Sequence, residues 1–180
     1  MFKIRKNNEV ETERLILRKL KNDDFETFAS IVGDDEIGKQ LPKGEGYTYE
    51  EAKRWLDRIQ LSWNENNYGV WGVINKESGN LIGYCGLNKI EELDEVEVLY
   101  GISKDMWGRG YATEAAYSSL RFGFEQLNFE KIIGLAKIKN IASINVLKKI
   151  GLKYKKDMTI FRIDVKYFEL TREEFNNSCK

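Results

Sequence analysis

Apolar residues recur at two spacings along this chain, and each change of spacing marks an element. The stretch Thr12-Glu13-Arg14-Leu15-Ile16-Leu17-Arg18 alternates apolar and polar residues over its latter part, which predicts a half-buried strand. Asp23 and Asp24 offer capping side chains for a short helix through Val32, with Phe25, Phe28 and Ala29 on one side. Gln40 to Thr48 holds Pro42, Gly44 and Gly46 and reads as a loop forming a mobile rim. Ala52, Trp55, Leu56, Ile59 and Trp63 then return at helical spacing, giving one apolar face to a helix from about Tyr49 to Asn64.

Period-two segments follow. Tyr68 to Asn75 and Leu81 to Ile90 form a strand pair across a turn at Lys76 to Asn80, and Glu95 to Ser103 is the next strand of the meander. At Gly108 the period switches again. Ala112, Ala115, Ala116, Leu120, Phe122 and Phe124 mark a helix reaching about Glu125. Lys131 to Lys139 reads as a strand, and Ala142 to Ile150 as a helix stopped by Gly151 in a left-handed cap. Strands near Leu152 to Lys156 and Thr159 to Leu170 precede a polar end. No repeat or linker divides the chain, so residues 1–180 are expected to form a single domain of the α/β (α+β) class: a mixed, mostly antiparallel sheet of about seven strands flanked by helices.

The bulk numbers narrow the function without naming it. Lys plus Arg is 29 and Asp plus Glu is 29, so a net charge of zero argues against direct nucleic-acid binding. No run approaches the roughly 18 apolar residues of a membrane span, and Met1 to Lys6 leads into polar Asn7, Asn8 and Glu9; no membrane partner and a cytoplasmic location are the expectation. Cys85 and Cys179 suit neither a disulfide framework nor a zinc site, and no metal is expected. Histidine is absent altogether, which removes the side chain best matched to proton transfer near neutral pH.

The most specific chemistry lies in Trp107-Gly108-Arg109-Gly110-Tyr111-Ala112, between a strand and a helix. Backbone N–H groups in the first turn of a helix have no intrahelical acceptor, and with the helix dipole they attract phosphate. Gly108 and Gly110 let the main chain approach a diphosphate closely, while Arg109 and Lys104 add positive charge outside. Thr113 can donate its hydroxyl there or satisfy the helix backbone instead. A dinucleotide fingerprint fails because Thr113 stands three residues after Gly110, and a P-loop fails because no Gly-Lys-Ser/Thr follows.

The run from Val96 to Ala115 resembles the acetyl-CoA-binding core of the GCN5-related N-acetyltransferase (GNAT) superfamily, in its ribosomal-protein N-terminal acetyltransferase branch. The opening Thr12 to Arg18, Asn140-Ile141-Ala142-Ser143 and Val146-Leu147-Lys148-Lys149-Ile150-Gly151-Leu152 resemble that branch in the same order, over about residues 12–174. The superfamily pattern Q/R-x-x-G-x-G/A falls on Trp107-x-x-Gly110-x-Ala112, with Trp107 in place of the usual polar residue, as is common in that branch. The resemblance implies a splayed GNAT-like sheet and acetyl-CoA as co-substrate. It implies that amides from Gly108 to Thr113, Tyr111 and Ala112 included, hold the CoA diphosphate. The backbone of Tyr100, Gly101 and Ile102 would pair with pantetheine, beside a bulge in that strand.

It further implies acetyl transfer to a primary amine, with a protein N-terminal α-amine, such as that of a ribosomal protein, as the favoured acceptor. Small amines, antibiotics, or a non-catalytic CoA-binding module are the alternatives, and a homodimer could complete the cleft beside a short final hairpin. Glu97 is either the candidate base or substrate contact, or a solvated or ion-paired strand carboxylate, with Glu95 on the same face able to exchange roles. The amide of Tyr100 or of Gly101 would polarise the thioester carbonyl. Asn140 and Ser143 are either caps of the following helix or contacts to the cofactor arm and thiol. Leu147 occupies the place where many relatives carry a phenolic acid, which leaves Ser143 or water to protonate the thiolate. Cys85, among Ile82, Tyr84 and Leu87, reads as packing, Tyr111 and Tyr167 as structural or pocket-lining, and Trp55, Trp63, Trp71 and Trp107 as core or cleft.

Overall fold

The computed structural model describes residues 2–178; Cys179 lies outside them. Fifteen strands and α-helices follow one another as β1 (Lys3–Ile4), β2 (Val10–Glu11), β3 (Leu15–Lys19), α1 (Phe25–Gly33), α2 (Asp35–Gly38), α3 (Tyr49–Asn66), β4 (Val70–Asn75), β5 (Leu81–Ile90), β6 (Glu95–Ile102), α4 (Tyr111–Glu125), β7 (Lys131–Lys137), α5 (Ile141–Lys149), β8 (Lys153–Ile160), β9 (Ile163–Thr171) and α6 (Arg172–Ser178). Among the described residues, the nine strands share one sheet in the order β1-β2-β3-β4-β5-β6-β7-β9-β8. Every neighbouring pair is antiparallel except β6 and β7, which run parallel. This is the mixed, mostly antiparallel sheet with flanking helices that the periodicities predict, extended by the two short strands β1 and β2.

The alternation of each strand sorts its side chains onto two faces. On β5, Cys85 meets Ser119 of α4, while its neighbour Tyr84 packs on Phe28 of α1 and Trp55 of α3. On β7, a Cβ at Gly134 would press on Leu147 of α5, and Ile132 presses on Gly123 of α4, so α4 and α5 cover the same face. Both helices connect parallel strands, α4 joining β6 to β7 and α5 joining β7 to β8. Crossovers that step the same way along a sheet share a face when they have the same hand.

Several boundaries differ from the periodic reading. Asp24 does not cap α1: its carboxylate takes both guanidinium nitrogens of Arg18 at 2.7 and 2.8 Å and the Lys21 amide at 2.7 Å. The last hairpin turns at Phe161 and Arg162, both with positive φ (52° and 63°), so its loop is short but β8 and β9 are long. The polar end is helical because Phe175 is buried against Phe124. Gly151, at φ 98°, ends α5 as expected, with the Gly151 amide on the Lys148 carbonyl and the Leu152 amide on the Leu147 carbonyl, a Schellman pair. The expected rim loop is tied down, the Lys39 carbonyl accepting from Lys137 Nζ at 2.8 Å and the Tyr47 amide reaching the Val32 carbonyl at 2.9 Å.

Candidate active site

The glycine turn takes the form its sequence demands. Gly108 and Gly110 have φ of 75° and 81°, values that side chains with a Cβ rarely adopt. Gly110 is the N-cap of α4 and supplies no side-chain cap, and the first α4 amide on a backbone acceptor is that of Glu114, on the Gly110 carbonyl at 3.0 Å. The amides of Tyr111, Ala112 and Thr113 therefore open the helix without intrahelical partners. Gly108, Arg109 and Gly110 are exposed, and nothing lies within 4 Å of a Cβ built on Gly108. Free amides on an open, side-chain-free turn at a helix N-terminus have the chemistry that suits an anion. Lys104 is exposed in the short 3-10 turn just upstream.

The strand leading into the turn has one free edge. The β5–β6 register runs unbroken from Gly83↔Ile102 to Ile90↔Glu95, so the bulge expected in β6 does not occur in that ladder. The splay does: β6 bridges β7 at Glu97↔Ile133 alone. Beyond Glu97 the two strands part, making Glu97 the apex of a V. The Ser103 amide bonds the Ile82 carbonyl at 2.8 Å, which continues the same register. Hydrogen-bonding directions alternate along an antiparallel strand, so Ser103, Gly101 and Leu99 address β5, while Ile102, Tyr100 and Val98 address the gap. The Ile102 carbonyl already accepts from the Trp107 indole at 2.6 Å. Of the expected edge residues, Tyr100 thus presents its backbone to the slot and Gly101 does not. Trp107, 45% exposed, closes the slot's rim instead of filling the core.

Side chains of opposite chemistry meet at the V from its two faces. Glu97, on the α1 face, is largely enclosed, and its one hydrogen bond among the described residues is from Asn88 Nδ2 at 3.1 Å, directly across the β5–β6 ladder. Burial pushes its carboxyl up to about 7, the Asn88 hydrogen bond opposing only in part. Glu95 pairs with Lys131 Nζ at 2.5 Å and receives Tyr167 at 3.5 Å, so it is occupied and the two acids are not interchangeable. On the α5 face, the Tyr100 phenol crosses to the first turn of α5, 2.9 Å from Ser143 Oγ and donating to the Ser143 carbonyl at 3.0 Å. Burial holds that phenol well above its ordinary range, so it remains a neutral donor. Asn140 is a cap, its Oδ1 accepting from the Ser143 amide at 3.0 Å. These bonds fix Ser143 beside the Tyr100 phenol.

Other expectations resolve as packing. Cys85 is fully buried with its thiol pushed up to about 12 by burial, so it is no nucleophile. Tyr111 is buried and accepts from Asn75 Nδ2 at 3.1 Å, and Trp63 and Trp71 pack at a tilt of 54° in the core. Leu147 is buried against Gly134 and Leu152 and does not reach the slot. Asn88 is the residue that sequence reading overlooked. Its signal is register: it sits opposite Glu97 only once the hairpin between them is closed.

Among the described residues no group of metal-ligating side chains exists, and no helix is long and apolar enough to cross a membrane. Residues 14–153 match the family model described as an acetyltransferase (GNAT) domain. The chain is 32% identical over 173 residues to an uncharacterised protein, YkkB, of Bacillus subtilis, covering 92% of this chain and 95% of that one. It is 26% identical over 147 residues to a putative ribosomal N-acetyltransferase, YdaF, of the same organism, covering 77% of this chain and 78% of the relative. A GNAT-family acetyltransferase structure from Bacillus anthracis superposes with a TM-score of 0.81 at 23% identity, over 92% of this chain and 99% of the other.

Proposed function

Because the chain belongs to the GNAT family of acetyl-CoA-dependent acetyltransferases, we propose that it transfers the acetyl group directly to a primary amine, and that the acceptor is the N-terminal α-amine of a polypeptide. The single observation that carries direct transfer is the arrangement at the apex of the V. A carboxyl poised near 7 lies on one face, a neutral hydroxyl pair lies on the other, and a backbone amide points into the gap between.

The amides of Tyr111, Ala112 and Thr113, with the exposed Arg109 and Lys104, would hold the diphosphate. The Tyr100 backbone would pair with the pantetheine arm. When bound, acetyl-CoA supplies an activated thioester. The Tyr100 N–H stabilises negative charge developing on the carbonyl oxygen, a fixed dipole that needs no reorganisation. Glu97 takes the proton from the incoming ammonium, directly or through one water. A base with a carboxyl near 7 is matched to an α-amine of pKa near 8, whereas a lysine near 10.4 asks for a stronger base. Ser143, held by Tyr100 and Asn140, would supply a hydroxyl to protonate the departing thiolate. The resemblance to a putative ribosomal N-acetyltransferase supports the polypeptide acceptor.

Release of free thiol from acetyl-CoA, followed against a panel of N-terminal peptides, lysine side-chain peptides, polyamines and aminoglycosides, tests this reading. Turnover is expected with α-amine peptides. Turnover confined to small amines would replace the acceptor class, and cofactor binding without turnover on any acceptor would sink the enzyme reading.

A further inference from the structure

Arg14 stands just before β3, far in sequence from the glycine turn, yet its side chain is spent on that turn. Its Nη1 donates to the Arg109 carbonyl at 2.8 Å, its Nε to Glu114 Oε2 at 2.7 Å, and its Nη2 lies 2.6 Å from the same carboxylate oxygen. The guanidinium also lies 4.6 Å from the centre of the Tyr111 ring. The other carboxylate oxygen of Glu114 accepts the Arg14 amide at 3.0 Å and the Thr12 hydroxyl at 2.6 Å. A Cβ on Gly110 would stand 3.5 Å from Arg14 Nη2. Thr12 is itself held, its carbonyl accepting from Lys76 Nζ at 2.6 Å.

Two physical consequences follow from this arrangement. A carboxylate in the first turn of α4 competes with a diphosphate for the same helix end. Saturating Glu114 with Arg14 and Thr12 turns it away from that role, and although its burial raises the carboxyl, these bonds more than offset the effect and keep it ionised. The peptide joining Arg109 to Gly110 is planar and trans, so its C=O and N–H point in opposite directions. Drawing the Arg109 carbonyl toward Arg14 aims the Gly110 N–H the other way, to the open side of the turn. Because Arg14 is paired with Glu114, it contributes geometry here and little net charge. A lysine could supply the charge but not the fork.

We propose that Arg14 is a positioning residue that presets the diphosphate turn before the cofactor arrives, through the Arg109 carbonyl and the Glu114 carboxylate. The inference rests on the reading of that turn as the CoA diphosphate site. It is tested on the full chain with Arg14→Gln, Arg14→Lys and Glu114→Gln. Amide hydrogen exchange is measured on the free protein, and coenzyme A affinity by calorimetry. For Arg14→Gln, exchange is expected to accelerate at residues 108–114 with no change in the β5 amides, and the Kd for coenzyme A to rise about tenfold, roughly 1.4 kcal/mol. Arg14→Lys is expected to follow Arg14→Gln, and Glu114→Gln to fall between these and wild type.

Unchanged exchange at the turn, exchange accelerated equally throughout the chain, or faster turn exchange with unaltered affinity would each overturn the proposal. Full function in Arg14→Lys would reduce the residue to a charge and overturn it likewise. Should Arg14→Gln fail to fold, the Arg14→Lys and Glu114→Gln proteins decide by the same two measurements. A wild-type protein that does not bind coenzyme A would defeat the functional reading, while the exchange measurement still judges whether Arg14 orders the turn.

Discussion

Glu97 shows how much chemistry one position in a strand can acquire from its surroundings. Its carboxyl is raised from an ordinary carboxylate value to about 7 by burial, which the Asn88 hydrogen bond offsets only in part. The folded protein therefore binds this proton more tightly than the unfolded chain. The associated stabilisation is complete at low pH, and it is lost as pH rises through 7. Glu97→Gln removes that dependence. Its thermal midpoint should exceed wild type at pH 8 and match it near pH 4. Transfer should fall about a hundredfold or more, within the range for loss of a general base, and the rise of kcat/KM through pH 7 should disappear. A variant that kept the wild-type pH profile would remove Glu97 from proton transfer. Lys131 matters to the same argument, since by engaging Glu95 it leaves a single uncommitted acid at the apex.

Elements report their own local logic. α3 opens with a reciprocal box: the Thr48 hydroxyl accepts from the Glu51 amide at 3.2 Å, and the Glu51 carboxylate accepts from the Thr48 amide at 2.8 Å. Thr48→Ala should cost about 1 kcal/mol, read as a lower urea midpoint at constant slope; a change in slope would mean that more than a cap was lost. Such elements were legible because caps and apolar periods are local. The run from Ala52 to Trp63 and the Gly151 stop both declare themselves within a few residues. β1 and β2, at two residues each, are too short to show a period. The hairpin at Phe161 and Arg162 places left-handed backbone on residues that do not advertise it, so the reading put the break too early. Likewise the glycine turn was visible as composition, whereas its support was not. Asn88 beside Glu97, and Arg14 beside Glu114, are juxtapositions made by strand register and tertiary packing, which no local window contains.

At the scale of the whole molecule, a ligand that binds only the folded chain stabilises all of it. At a hundred times its Kd, acetyl-CoA should add about 2.7 kcal/mol. For a domain of this size that corresponds to a rise in Tm of roughly 5–11 °C, measurable by calorimetry. Gly110→Asp should abolish the rise, since it adds both a Cβ at φ 81° and a negative charge at the helix end. A full shift in that variant would move the diphosphate elsewhere. The sheet explains why the effect is global: β6 carries the slot, and all the other described strands belong to the same sheet, β1 to β5 on one side of it and β7, β9 and β8 on the other.

The hydrogen bonds between Arg14 and Glu114 close a chain segment of 100 residues. Loop closure of that length must be offset before either end gains anything, and such distant contacts form late in folding. On the ribosome, where synthesis runs from the N-terminus, Arg14 emerges long before its partner exists. The proposed cofactor cradle is therefore a late product of folding, absent from a nascent chain until β3 through α4 have been made and assembled. Acetyl-CoA can reward only chains that have come that far, which makes it a selective brake on unfolding of the completed domain, with little influence on the early route to it.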